Sequence, residues 1–241
     1  MASLALQRAI AETYAAFGAL PCPRRLHASP LRDADAILRD LRSASLAALP
    51  DAAIAPYSRW AITTVGTEQD FRHFLPRILE LAATDADWSG AEPPIIADRI
   101  LRAGWAHWPP VEREPVADLL TAAFAEALER GFRGGTRADD WLCGMAMLGL
   151  QLAEPLACWR ADSSGEAALV LANFIWLQHD NLRDGGAAQG FWKDVPAAAQ
   201  KQVGAWLIDP ETVAQLRAAT RLPSPEDGWE IQQALSVLGF T

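Results

Sequence analysis

An all-α fold of paired antiparallel helices is what this sequence predicts, and three observations carry the prediction. Alanine and leucine dominate while β-branched residues are sparse, apolar residues recur at helical spacing, and Gly, Pro and Ser/Thr/Asp punctuation cuts the chain into helix-length segments. Helices joined by short connections form either an irregular α-α superhelix or an orthogonal helical bundle. The 241 residues are 51% hydrophobic, ample for a continuous core. No Pro/Ser-rich linker divides them, so one domain is expected, with Asp162-Ser163-Ser164-Gly165 as a candidate minor boundary.

Taken in order, helices are expected over 3–19, 31–41, 51–65, 68–83, 95–104, 110–130, 137–153, 165–183, 195–207, 210–221 and 225–238. In the first, Gln7, Arg8 and Glu12 interrupt the apolar residues, which is wrong for a secretory leader. The fourth is the most informative. Thr67 caps its first turn and Asp70 sits at the third helical position, a capping box with Asp in place of Glu. Phe71, Phe74, Leu75, Ile78, Leu79 and Ala82 then form one apolar face. Asp70, His73 and Arg77 follow its edge at a spacing suited to a structural polar network, and Pro76 predicts a kink near Arg72 and His73.

Later helices carry their own punctuation. Thr136 precedes Asp139, Asp209 precedes Pro210, and Ser224 precedes Pro225, each a start signal. Gly131, Gly134-Gly135, Gly185-Gly186 and Gly239 are stop signals. The glycine-rich 131–135 segment lacks both the lysine of a P-loop and a preceding strand, so it reads as punctuation. The run from Ala167 to Leu177 is apolar on all sides, which places Phe174 and Trp176 in the core, yet it contains Asn173 and is too short to span a bilayer.

The segment Asp70-Phe71-Arg72-His73-Phe74-Leu75-Pro76-Arg77, with the preceding Thr64-Val65-Gly66-Thr67 turn, resembles a family of uncharacterised bacterial helical proteins. Gly104-Trp105 and Trp108-Pro109 extend the resemblance. It implies an all-helical fold and no assigned activity. The cysteine cluster that the resemblance implies near the amino end is represented here by Cys22 alone, between Pro21 and Pro23.

A net charge of −9 and only two lysines, Lys193 and Lys201, argue against nucleic-acid binding; Arg24-Arg25 is too small a basic patch to change that. Cys22, Cys143 and Cys158 lack the pairing or spacing of a disulfide framework or zinc site, which fits a cytoplasmic chain without cofactors or membrane attachment. Cys143 in its apolar helix should be inert, and Cys158 beside Trp159 reads similarly.

Candidate chemistry rests on few residues. His179-Asp180 matches the dipeptide of HD-type metal-dependent hydrolases, with His73 or His107 able to supply an earlier histidine and Asp209 or Asp227 a later carboxylate. Asn173, Asp180 and Asp184 share a stripe of that helix. Helix capping and core hydrogen bonding explain the same residues without a metal, and His27 reads as a loop residue. His73 and Asp70 are the other catalytic candidates.

Ten tryptophans against two tyrosines are the second informative feature. Trp60, Trp141, Trp176 and Trp206 lie in apolar helical patterns and are expected in the core. Trp88, Trp192 and Trp229, with polar or glycine neighbours, either plug junctions between helix pairs or, provided two or more cluster, are candidate anchors for a partner. The leading expectation is a non-enzymatic helical scaffold that binds another protein or its own copy. An HD-like hydrolase using His179 and Asp180 and an apolar small-molecule carrier lined by tryptophans are the alternatives.

Overall fold

A computed structural model describes residues 2–131, 137–183, 190–219 and 228–239, without the side chains of 181–183. Twelve α-helices and three short 3-10 turns account for most of them, and among the described residues there is no strand. The helices are α1 (Leu4–Phe17), α2 (Ala34–Leu41), α3 (Asp51–Trp60), α4 (Glu68–Thr84), α5 (Pro93–Arg102), α6 (Pro110–Arg130), α7 (Ala138–Met147), α8 (Ala153–Ala161), α9 (Gly165–Arg183), α10 (Ala197–Leu207), α11 (Pro210–Ala218) and α12 (Gly228–Val237). Packing divides the chain into two compact units, Met1–Ala123 and Phe124–Thr241. The start signals at Thr136 and Ser224-Pro225 and the stop signals at Gly134-Gly135 and Gly185-Gly186 lie outside the described residues.

The first unit is organised by α4, against which α1, α3 and α5 pack. The expected capping box is present: Thr67 Oγ1 accepts from Asp70 N at 3.3 Å, and Asp70 Oδ2 accepts from Thr67 N at 2.7 Å. Phe71, Phe74, Leu75, Ile78, Leu79 and Ala82 are all buried, so the apolar face read from the spacing is the core. The helix continues through Pro76, itself buried.

The polar edge is assembled differently from the expectation. Asp70 is engaged in the cap, His73 Nδ1 lies 2.9 Å from Leu20 O, and Arg77 donates to Leu49 O at 2.8 Å and to Glu80 at 2.7 Å. Tyr14 Oη donates to the same Glu80 oxygen at 2.5 Å. These side chains tie α4 to neighbouring loops and to α1 instead of bonding one another. The bonds of His73 and Arg77 satisfy carbonyls in part-buried settings.

α3 stops at Trp60, five residues before the expected end. Ile62 adopts φ 65°, a left-handed backbone that is an outlier for a β-branched residue. The chain reverses there: Ile62 N donates to Val65 O, Ser29 N to Thr64 O and Gly66 N to His27 O. The residues 61–65 thus trade helical bonds for a short extended pairing with 27–29.

The second unit is built around α9, in contact with α7, α10, α11 and α12. The expected helix over 137–153 is two elements. α7 closes in a Schellman motif, with Leu150 N donating to Met145 O and Gly149 N to Ala146 O while Gly149 takes φ 69°. α8 then begins at Ala153. The 162–165 segment is the connection between α8 and α9, where Ser164 Oγ accepts from Ala167 N and Asp162 Oδ1 from Ser164 N.

Trp159 on α8 is fully buried. It packs against Phe124, Phe174 and Trp206, and its Nε1 donates to Ala167 O at 3.1 Å. Gln215 Nε2 of α11 donates to both Trp159 O and Asp162 O at 2.7 Å. Phe174 occupies this core as expected. Trp176 does not: it is 52% exposed, and Leu177 beside it is also exposed. Because α9 is apolar on all sides, periodicity could not tell which arc the surrounding helices would leave open.

Candidate partner-binding site

The tryptophans sort differently from their sequence context. Trp141 and Trp206 are buried, and Trp60 is half-buried beneath the guanidinium of Arg32, 3.7 Å from the ring centroid. Among the candidate anchors, Trp88 is half-buried, with Nε1 donating to Ala91 O at 2.9 Å. Trp192 is 2% exposed and packs on Phe174 at 5.4 Å, which corrects its reading as a surface anchor. Its polar neighbours point outward, while a 3-10 turn over Gly190–Asp194 directs the indole into the core. Trp229 is 63% exposed, as its context suggested.

Trp229 and the misplaced Trp176 line one cleft. On α9, Trp176 lies one turn beyond Ala172 and Asn173, and on α12, Gln233 lies one turn beyond Trp229 and Glu230, so each set shares a face. α12 packs along α9, so the two faces meet in a groove of about 190 Å³ with Ala172 leaving room between the larger side chains. Glu230 lines this groove, and its Oε2 is buried without a hydrogen-bond partner among the described residues. A glutamate in the first turn of α12 complements the helix dipole, but that explains its charge and not the stranding of one oxygen away from water.

His179 Nε2 lies 2.7 Å from Asp180 Oδ1, the pair placed at the end of α9 with the imidazole largely buried and the carboxylate in solvent. Among the described residues no group of three His, Cys, Asp or Glu side chains could hold a metal ion. His73 and His107 belong to the first unit and His179 to the second. His73 is committed to Leu20 O, and His107 is exposed in the 3-10 turn Trp105–His107. Asp209 caps α11 and lies 3.5 Å from Arg160. Asp184 and Asp227 lie outside the described residues.

A second cleft of about 350 Å³ lies in the first unit between α2 and α3, lined by Arg32, Asp33, Asp40, Tyr57 and Trp60. Two of its charged groups have work within the fold: Arg32 covers Trp60, and Asp33 accepts from Ala36 N as the cap of α2. Burial pushes the Cys143 thiol well above its usual range, with Asp140, Asp139 and Asp194 adding repulsion, so it is a poor nucleophile. No described helix is long and apolar enough to cross a membrane.

Sequence reasoning missed Trp176, Glu230 and Gln233 as site residues. Trp229-Glu230 at a helix start was a local signal for half of the groove; the other half depends on which arc of α9 faces α12. Comparison with family models, with curated proteins and with solved structures finds no match for this chain.

Proposed function

We propose that this chain is a protein-binding domain whose α9–α12 groove receives a side chain from a partner protein. The single observation that carries the reading is the convergence of Trp176 and Trp229, both more than half exposed, on one cleft. Two indoles left in water at the same place forgo the burial that an interface would provide, and tryptophan anchors are the side chains most enriched where binding energy concentrates. The size of the groove agrees with this. At about 190 Å³ it falls below the roughly 300–1,000 Å³ of sites that enclose a small molecule. It suits one inserted side chain better than a carried ligand, which favours a scaffold over a carrier.

The test is a peptide-display selection on the whole chain and on the Trp176→Ser/Trp229→Ser double variant. Circular dichroism verifies that the variant keeps its helicity. Peptides enriched by the parent and not by the variant are the expected result. No enrichment, or enrichment that survives the double substitution, refutes the groove as a binding site. Sedimentation of the parent chain distinguishes a second copy as occupant, since self-association would be concentration-dependent and lost in the same variant.

A further inference from the structure

We propose that the side chain which enters the α9–α12 groove is cationic, an arginine of the partner protein that stacks on the indoles of Trp176 and Trp229 and pairs with Glu230. The inference rests on the protein-binding reading and specifies its chemistry. Its central observation is Glu230, whose side chain lines the groove beside the two indoles and one of whose oxygens finds no hydrogen-bond donor among the described residues. Buried polar atoms in folded proteins nearly always find partners, and a charged one has the most to lose by having none.

The surroundings select the kind of donor. An apolar side chain would fill the space but leave the carboxylate stranded more deeply; a carboxylate would be repelled. A cation answers both parts of the site, because indole faces attract positive charge and Glu230 neutralises it. Arginine fits better than lysine. Its planar guanidinium stacks on aromatic faces while its edge presents five N–H donors, which Glu230 and the amide oxygens of Asn173 and Gln233 on the same walls can accept.

Charge at longer range points the same way. The chain carries −9, and residues 124–241 hold more Asp and Glu than Lys and Arg, a field that draws basic partners and discourages acidic ones. The cleft between α2 and α3 shows the contrast: there the chain already supplies its own arginine to the tryptophan, Arg32 over Trp60. In the α9–α12 groove the indoles and the carboxylate are present and the guanidinium is what the partner brings.

The experiment uses the whole ¹⁵N-labelled chain and three acetylated, amidated pentapeptides, Ala-Gly-X-Gly-Ala, with X arginine, its neutral isostere citrulline, or norleucine. The readout is the indole N–H resonances of Trp176 and Trp229, assigned by Trp176→Phe and Trp229→Phe. The arginine peptide is expected to shift both signals saturably at millimolar concentration and more weakly as salt rises. Citrulline and norleucine peptides should shift them little, and Glu230→Gln should weaken the arginine peptide roughly tenfold. If all three peptides bind alike, or Glu230→Gln changes nothing, the cation is overturned while the protein-binding reading stands. If the arginine peptide leaves both indoles unmoved, the inference fails, and the display selection separately decides the fate of the groove. Salt and citrulline comparisons on the parent chain hold even if Glu230→Gln disturbs folding.

Discussion

Trp159 and Trp176 are chemically identical side chains seventeen positions apart, and replacing each by alanine tests the account of the second unit directly. Trp159 is fully buried, touches three other aromatic rings and donates a hydrogen bond. Removing it leaves a cavity in the core and takes away the indole bond to Ala167 O. A buried tryptophan removes about 150–250 Å² from water, which at about 25 cal/mol per Å² is roughly 4–6 kcal/mol. Measured aromatic-to-alanine truncations average roughly 3–5 kcal/mol, so that is the expected loss for Trp159→Ala. Trp176 keeps 52% of its surface exposed, so about half the area is at stake, with no comparable cavity, which gives roughly 2–3 kcal/mol at most. Urea denaturation followed by circular dichroism measures both, with hydrogen exchange across α9 assigning the loss to this unit. Equal costs for the two variants, or a Trp159→Ala chain with an unchanged midpoint and slope, would refute the assignment of which indole faces the core.

Four further outcomes concern the buried titratable groups, the α4 cap and two glycines of positive φ. Burial holds the Tyr14, Tyr57 and Cys143 ionisations above their usual values; the bond to Glu80 adds to the shift for Tyr14, Asp70 for Tyr57 and the neighbouring aspartates for Cys143. Raised folded pKa values mean that stability is intact below the unfolded values of 9.0 and 10.0 and falls as pH climbs beyond them; a melting temperature that stays level from pH 8 to 11 would contradict this. Tyr57→Phe removes a buried hydroxyl that has no hydrogen-bond partner among the described residues, so it should be neutral or stabilising at pH 7 and make the alkaline decline shallower, as thermal melts can show. Thr67→Ala and Asp70→Ala should each cost about 1 kcal/mol in urea titrations, and the double variant less than the sum, because the two act in one capping box; strict additivity would count against it. Gly66→Ala should cost more than Gly149→Ala although both glycines have positive φ, since a Cβ at 66 meets Tyr57 Oη at 3.2 Å and one at 149 meets open space; the reverse order in chemical denaturation would contradict the packing around Tyr57.

How much of this could be read from residues alone depended on the range of the interaction. The α4 capping box and its six-residue buried face are set by neighbours within a few positions, and both were legible. Asp70, His73 and Arg77 were correctly placed along one edge but wrongly paired, because His73 and Arg77 answer to Leu20 O and Leu49 O, carbonyls 53 and 28 positions away. The early end of α3 had a local trace in the β-branched run Ile62-Thr63-Thr64-Val65, and the α7–α8 break had one in Gly149 and Pro155. The tryptophans had none that sufficed. Trp192 is buried because a turn aims it at Phe174, and Trp176 is open because no described neighbour covers that arc of α9. Half of the candidate groove was therefore invisible until α12 was laid beside α9.

Trp159 also sits at the meeting of two closures of very different length. Its indole bond to Ala167 O joins residues eight positions apart, whereas the bond from Gln215 to Trp159 O joins residues 56 apart. With closure entropy growing as the logarithm of loop length, the longer connection costs roughly 1.7 kcal/mol more than the shorter one. The α8–α9 hairpin is thus the cheap local contact, available to the chain before most of the second unit has been brought together. Gln215 adds two hydrogen bonds across 56 and 53 positions, which fasten α11 to a corner that the local indole bond already defines.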